Sequence, residues 1–334
     1  AHVSSEDVQV RSSRVHDISV VIPVYAGAST LNSVIDELLP YAQDCVSPDG
    51  NKYRISEIIL VWDHGPGSAD DVVRDLAAAH EIVRPVWLSR NFGQHPATLA
   101  GMTASSGTWI VTMDEDGQHD PRFFGDLLDA ALSHRAQLVY ADPQDSVPHG
   151  ALRNFSSRVA KWLFVRVLAG REFESFNSYR LIHGEIGRSV AAYTGSGVYL
   201  DVALTWVVST VCTAPVVNRV EGRPASNYSF SRLLGHFGRL VVSTGTRPLL
   251  FVSLIGAVFV ALGVVLTVYV IAGSLLGDIP VGGWASTFVA ILVVGGATLL
   301  SLGIIAQYVG ASTNMSLGKP LYVTVRDPHD NFDA

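Results

Sequence analysis

Between Leu249 and Gly310 the chain carries one charged residue, Asp278. Few environments accept so long an uncharged stretch. Crossing a bilayer takes roughly 20 apolar residues, and Leu249–Leu276 and Trp284–Val309 are each longer than that. The link between them, Gly277 to Gly283, is short, so the pair predicts a transmembrane hairpin over 249–310. Arg232, Arg239 and Arg247 precede the first span and Lys319 and Arg326 follow the second, while the link holds no Lys or Arg. The positive-inside rule then puts both termini and the upstream domain in the cytoplasm. A buried helical pair in a soluble core is the alternative, and soluble cores seldom contain two such spans side by side. Just before the hairpin, Leu233, Leu234, Phe237, Leu240 and Val241 make an apolar stripe beside Arg232, His236 and Arg239. That pattern predicts interfacial amphipathic helix within 225–248. Residues 311–334 read as a cytoplasmic tail, and Asp278 as solvated at the far interface.

Upstream, the chain changes character. Residues 1–16 are polar, read as a disordered tail, and contain no apolar core of a secretory signal. From 17 to 224, β-branched runs alternate with helical spacing. Strands are expected at Ile18–Val24, Ile55–Val61, Val83–Leu88, Thr108–Met113, Leu138–Ala141 and Ala214–Val220. Helices are expected at Leu31–Tyr41, Ala69–His80, His95–Ser105 and Pro121–His134, then at Ala151–Ala169 and within Tyr193–Thr210. Short connections between alternating strands and helices predict an α/β domain with a mostly parallel sheet and helices on both faces. The formal net charge of −7 argues against nucleic acid as a partner. Cys45 and Cys212 lack metal spacing; one disulfide stays open, though two isolated cysteines fit a reducing compartment.

Chemistry concentrates at Met113-Asp114-Glu115-Asp116-Gly117-Gln118. This Asp-x-Asp directly follows a buried strand, and carboxyl ends of strands are where open α/β sheets bind ligands. Mg²⁺ or Mn²⁺ takes oxygen ligands and keeps waters, so one or two carboxylates suffice. Taken alone, the turn reads more readily as a solvated acidic turn that caps the helix near Pro121. Three other segments fall at equivalent strand ends: Pro23-Val24-Tyr25, Asp63, and Ser89-Arg90-Asn91-Phe92-Gly93. Farther on, Arg153, Ser157 and Lys161 share one helical face at i, i+4 and i+8.

The segments VVIPVY, LSRNFGQHPATLAGM, TWIVTMDEDGQHDP and SFNSYRLI together resemble the motifs of a family 2 glycosyltransferase of the GT-A fold. Nearly the whole chain, Ile18 to Val325, takes part. RPLLFVSLIG, LLSLGIIAQYVG and KPLYV resemble the two-span anchor and return strand of its polyprenyl-phosphate glycosyltransferases. The resemblance implies transfer of a hexose from a nucleotide sugar to a polyprenyl phosphate. UDP-hexose is the favoured donor, with GDP-mannose the other. It assigns metal and diphosphate contacts to Asp114, Asp116 and Gln118, and base contacts to Pro23, Tyr25 and Asp63. Arg90 falls near the nucleotide, Arg153 and Ser157 on the lipid phosphate, and Arg180 in the reacting centre. It also suggests a homotetramer, on which composition is silent.

Three departures stand out. Val61-Trp62-Asp63 replaces Val-Asp-Asp. Ala141-Asp142-Pro143 lacks the Arg found after the fifth strand. Ser178 stands where the family has an Asp, its proposed catalytic base. A phosphate monoester, with its second pKa near ~6, is already mostly dianionic at neutral pH. Such an acceptor needs positioning more than deprotonation, and Glu174, Asp142 or Asp145 remain as acids near it. Two other functions are alternatives. A processive polysaccharide synthase would carry Gln-x-x-Arg-Trp and more spans, which are missing here. A degenerate membrane scaffold would not need the intact Asp114, Asp116 and Gln118.

Overall fold

A computed structural model describes residues 14–144, 176–195, 198–217, 219 and 284–330, with isolated positions at Gly256, Val258, Val265, Val268 and Ala272. The chain divides into two compact units. One comprises Ala1–Ser156, Glu172–Tyr228 and Pro320–Ala334; the other comprises Ser157–Arg171 and Ser229–Lys319.

The first unit is a mixed sheet with helices on both faces. Its strands are β1 (Val15–Val24), β2 (Cys45–Val46), β3 (Lys52–Trp62), β4 (Val83–Leu88), β5 (Trp109–Thr112), β6 (Leu138–Pro143), β7 (Arg180–His183), β8 (Val211–Val216) and β9 (Thr324–Val325). They run in the order β8-β6-β7-β5-β1-β3-β4-β9, with β2 paired to β3. The β1–β3, β1–β5, β3–β4 and β6–β8 pairs are parallel. β2, β7 and β9 pair antiparallel with their neighbours. Parallel strands covered on both faces read as continuous apolar runs. Ile58–Trp62 is buried throughout, whereas the outer half of β3 alternates, because there only one face is covered.

Helices α1 (Leu31–Leu38), α2 (Ala69–Ala79) and α4 (Phe124–His134) pack one face, through Leu31, Ile35, Val73, Phe124 and Leu127 among others. Helices α3 (Gln94–Ala104), α5 (Gly184–Tyr193) and α6 (Leu200–Val207) pack the other, through Ala97, Leu99, Met102, Val190 and Leu204.

Several expectations need correction. β1 starts at Val15, inside the stretch read as a disordered tail. β2 and β7 were not expected as strands. The helical stretch expected within Tyr193–Thr210 is present as α6. The helices expected at Ala151–Ala169 and within 225–248 lie outside the described residues.

In the second unit, α7 (Trp284–Ser316) runs for 33 residues and contains no charged side chain. Most of its described apolar side chains are exposed, Leu299 at 71% and Ile291 at 63%, while Ala297, Ile304 and Tyr308 are half-buried. Among the described residues, no helix is long and apolar enough to cross a membrane. The side chains of Phe288, Val289, Leu292 and Val293 within α7, and all of the first expected span except the five isolated positions, fall outside the described set. The expected hairpin is therefore not seen as such.

Candidate active site

β1, β3, β4 and β5 all end at one rim of the sheet, and the chemistry-bearing segments collect there. β5 ends at Thr112, and Met113 N–H still reaches the Val21 carbonyl at 3.1 Å. The chain then turns through Asp114 to Asp120. Gly117 sits at φ +76°, a left-handed conformation that glycine adopts without penalty. Gln118 N–H folds back on Asp116 Oδ1 at 3.1 Å. Asp114 through Gln118 are half-buried, while His119 and Asp120 are buried.

Asp114 is held at both ends of its carboxylate. Gln94, the first residue of α3, donates Nε2 to Oδ1 at 2.6 Å. Ser178 donates Oγ to Oδ2 at 2.8 Å. Ser178 is close because β7 runs antiparallel to β5 with Arg180 opposite Thr112. Both donors are neutral, so they orient the carboxylate without cancelling its charge. That donor set, half-buried oxygens of Asp114 and Asp116 on one turn, fits a hard divalent cation; Gln118 supplies a further oxygen on the same turn.

His119 was not singled out from the sequence, yet it closes this turn. Its Nδ1 accepts the Asp114 N–H at 3.0 Å. Its ring stacks on Tyr179 at 4.8 Å and 14°, and Tyr179 donates its hydroxyl to the Asp120 carbonyl at 2.7 Å. Burial lowers the His119 pKa, while the charges of Asp114 and Asp116 pull it back up. The Asp120 carboxylate accepts from Arg122 and from Arg219 Nε at 3.1 Å. Burial works to raise the Asp120 pKa, but these donors hold it below the usual carboxylate value.

Asp63, at the end of β3, spends both oxygens on backbone. Oδ1 accepts the Phe92 N–H at 2.7 Å and Oδ2 the Gly93 N–H at 2.8 Å. Burial raises its pKa, against the pull of those two donors. This contact fixes the entry to α3 and so places Gln94 beside Asp114. Arg90 lies on the same loop, its guanidinium 4.1 Å from the centre of the Phe92 ring. Tyr25 is 47% exposed at the end of β1, next to half-buried Pro23.

The remaining expected site residues divide in two. Arg180 faces the core. Its guanidinium pairs with Asp201 and donates Nε to Thr112 Oγ1 at 2.9 Å, and Tyr140 donates its hydroxyl to Asp201 at 2.9 Å. Arg153, Ser157, Asp145 and Glu174 lie outside the described residues, and Asp142 is exposed. Among the described residues, Asp70, Asp71 and His329 form a separate cluster of possible metal ligands. Arg74 already bridges those two aspartates and Asp327. Among the described residues, cavities also lie away from this rim. One of about 450 Å³ lies between β6, β8 and the end of α6, with Tyr140 and Cys212 in its wall. One of about 850 Å³ sits at the opposite end of β1 and β5, with His16 and Trp109 in its wall.

The sequence profile of glycosyl transferase family 2 matches residues 19–196, more than half of the chain and the whole of this rim. The chain belongs to glycosyl transferase family 2 and is a glycosyltransferase. It is 23% identical over 311 residues to the bactoprenol glucosyl transferase of Shigella phage SfV, covering 92% of this chain and 97% of that one. It is 27% identical over 323 residues to an undecaprenyl-phosphate 4-deoxy-4-formamido-L-arabinose transferase of Klebsiella pneumoniae, covering 93% and 94%. Among solved structures, it is similar to a mannosyltransferase from Pyrobaculum calidifontis in complex with GDP-Man and Mn²⁺, at 16% identity and TM-score 0.48, covering 92% and 89%.

Proposed function

We propose that this glycosyltransferase moves a hexose from a nucleotide sugar, UDP-hexose before GDP-mannose, to the phosphate of a polyprenyl lipid. The observation that carries the reading is Asp114 and Asp116 on one turn at the strand ends, with Asp114 oriented by two neutral donors. The similarity of almost the full chain to bactoprenol and undecaprenyl-phosphate transferases supports the lipid acceptor.

Asp114, Asp116 and Gln118 would hold Mg²⁺ or Mn²⁺, which supplies charge neutralisation for the departing diphosphate. Gln94 and Ser178 keep the Asp114 carboxylate aimed at that position. Tyr25 and Pro23 offer the nucleoside an exposed aromatic and apolar edge, and Arg90 offers a phosphate a cation. Ser178 acts here as a donor to Asp114, so it orients and does not abstract a proton. The acceptor needs none abstracted if it arrives as a phosphate dianion. Arg153 and Ser157 are assigned to that phosphate. The reaction is a single inverting displacement.

Membrane anchorage belongs to the same reading. It is supported by one charge between residues 249 and 310 and by the exposed apolar side chains of α7. By the positive-inside rule, the flanking Arg and Lys residues support a catalytic domain and both termini on the cytoplasmic side. The test is a transfer assay with membranes, Mn²⁺, polyprenyl phosphate and radiolabelled UDP-glucose, UDP-galactose or GDP-mannose. Metal-dependent label in the lipid phase from one of these donors is expected; none from any of them would overturn the proposal.

A further inference from the structure

Glu115, the middle residue of the Asp-x-Asp, makes contacts that neither the metal turn nor the family pattern requires. Its Oε2 accepts the Tyr25 N–H at 2.9 Å and its Oε1 the Ala26 N–H at 3.0 Å. Its own carbonyl accepts from Thr30 Oγ1 at 2.7 Å. Gly27 packs so close that a Cβ there would lie 2.4 Å from Oε2. The carboxylate therefore straps the end of β5 to the loop that follows β1, and that loop carries the exposed Tyr25.

We propose that Glu115 is a positioning residue for the nucleotide. It holds the Tyr25–Gly27 backbone in the shape that receives the nucleoside, while its neighbours on either side serve the metal. Two bonds from successive N–H groups to one carboxylate are charge-assisted and set the backbone direction. Ordering this loop in advance removes part of the ordering cost from the binding step. Gly27 is part of the same device, since only a residue without a side chain lets the carboxylate reach both N–H groups. The inference rests on the nucleotide-sugar reading above.

The experiment uses the full chain with E115A, E115Q and G27A. Calorimetry reads UDP and GDP affinity with Mn²⁺, electron paramagnetic resonance reads Mn²⁺ affinity without nucleotide, and kinetics separates donor KM from kcat. E115A and G27A should each weaken diphosphate binding and raise donor KM about tenfold, with Mn²⁺ affinity and kcat changed less than about twofold. E115Q, which keeps one acceptor oxygen, should recover part of the loss. The G27A/E115A double variant should be no weaker than either single, because both remove one contact. Unchanged donor KM in both single variants, additive losses, or an equal loss of Mn²⁺ affinity would overturn the inference. A wild-type chain that binds neither diphosphate would overturn the nucleotide reading and this inference with it.

Discussion

The Asp114 N–H donates to Nδ1 of His119 across 3.0 Å, and that bond decides the histidine tautomer. With Nδ1 as acceptor, the proton of the neutral ring sits on Nε2, 4.0 Å from Asp114 Oδ2. The same residue thus has its backbone and one carboxylate oxygen facing one imidazole, and the Tyr179 stack keeps that imidazole in place.

His119→Asn should be tolerated and His119→Phe should not. The Asn Oδ1 can take the place of Nδ1 and keep the Asp114 N–H paired. Phe keeps the stack but leaves that N–H without its partner. Mn²⁺ affinity, read by electron paramagnetic resonance, is expected to fall about tenfold in H119F, the range for losing an outer partner of a metal ligand. In H119N it should fall no more than about threefold.

Arg180 and Asp201 are both buried and paired with each other. Removing one partner leaves a buried charge, at a cost of about 3–5 kcal/mol. R180M should therefore lower unfolding free energy by that amount, measured by denaturant titration. R180M/D201L, which removes both charges, should recover most of it. A stable R180M with lost transfer activity would instead place Arg180 in the chemistry.

Glu57 is expected to contribute an acid-sensitive part of the stability. Burial pushes its pKa up, but Ser19 Oγ at 2.7 Å, Ser106 N–H at 2.6 Å, Ser106 Oγ at 2.8 Å and Arg84 outweigh that and hold it below the usual value. A depressed carboxylate stabilises the fold fully above its unfolded pKa, about 4.3, and loses that contribution as pH falls through the lower folded value. Denaturant titrations from about pH 7 down to 3 should show this loss in the wild type and a shallower slope in E57Q.

Much of the rim was legible in the sequence because the strands that build it are local apolar runs. Ile18–Val24 and Val83–Leu88 announce themselves, and each ends beside a residue already suspect: Tyr25 after the first, Arg90 after the second. β7 was not legible. Arg180-Leu181-Ile182-His183 is short, begins with a charged residue, and is a strand only because β5 and β6 flank it. The roles of Gln94, Glu115 and His119 were hidden for the same reason. Gln94 and Glu115 act through partners far along the chain, Asp114 and Tyr25, and His119, which bonds Asp114 within its own turn, is held there by the distant Tyr179; no spacing reports such meetings. Asp63 reads from the sequence as a ligand contact, and in the structure its oxygens also accept the Phe92 and Gly93 backbone N–H groups. A carboxylate following a strand looks the same in sequence whether it meets a ligand or a loop.

The most direct measurement compares wild type with D116N in sugar transfer from nucleotide donor to polyprenyl phosphate, with and without Mn²⁺. Wild-type transfer should stop when the metal is chelated and return with Mn²⁺, and D116N should lose at least about a hundredfold at every metal concentration. Transfer that survives both chelation and the substitution would contradict the account.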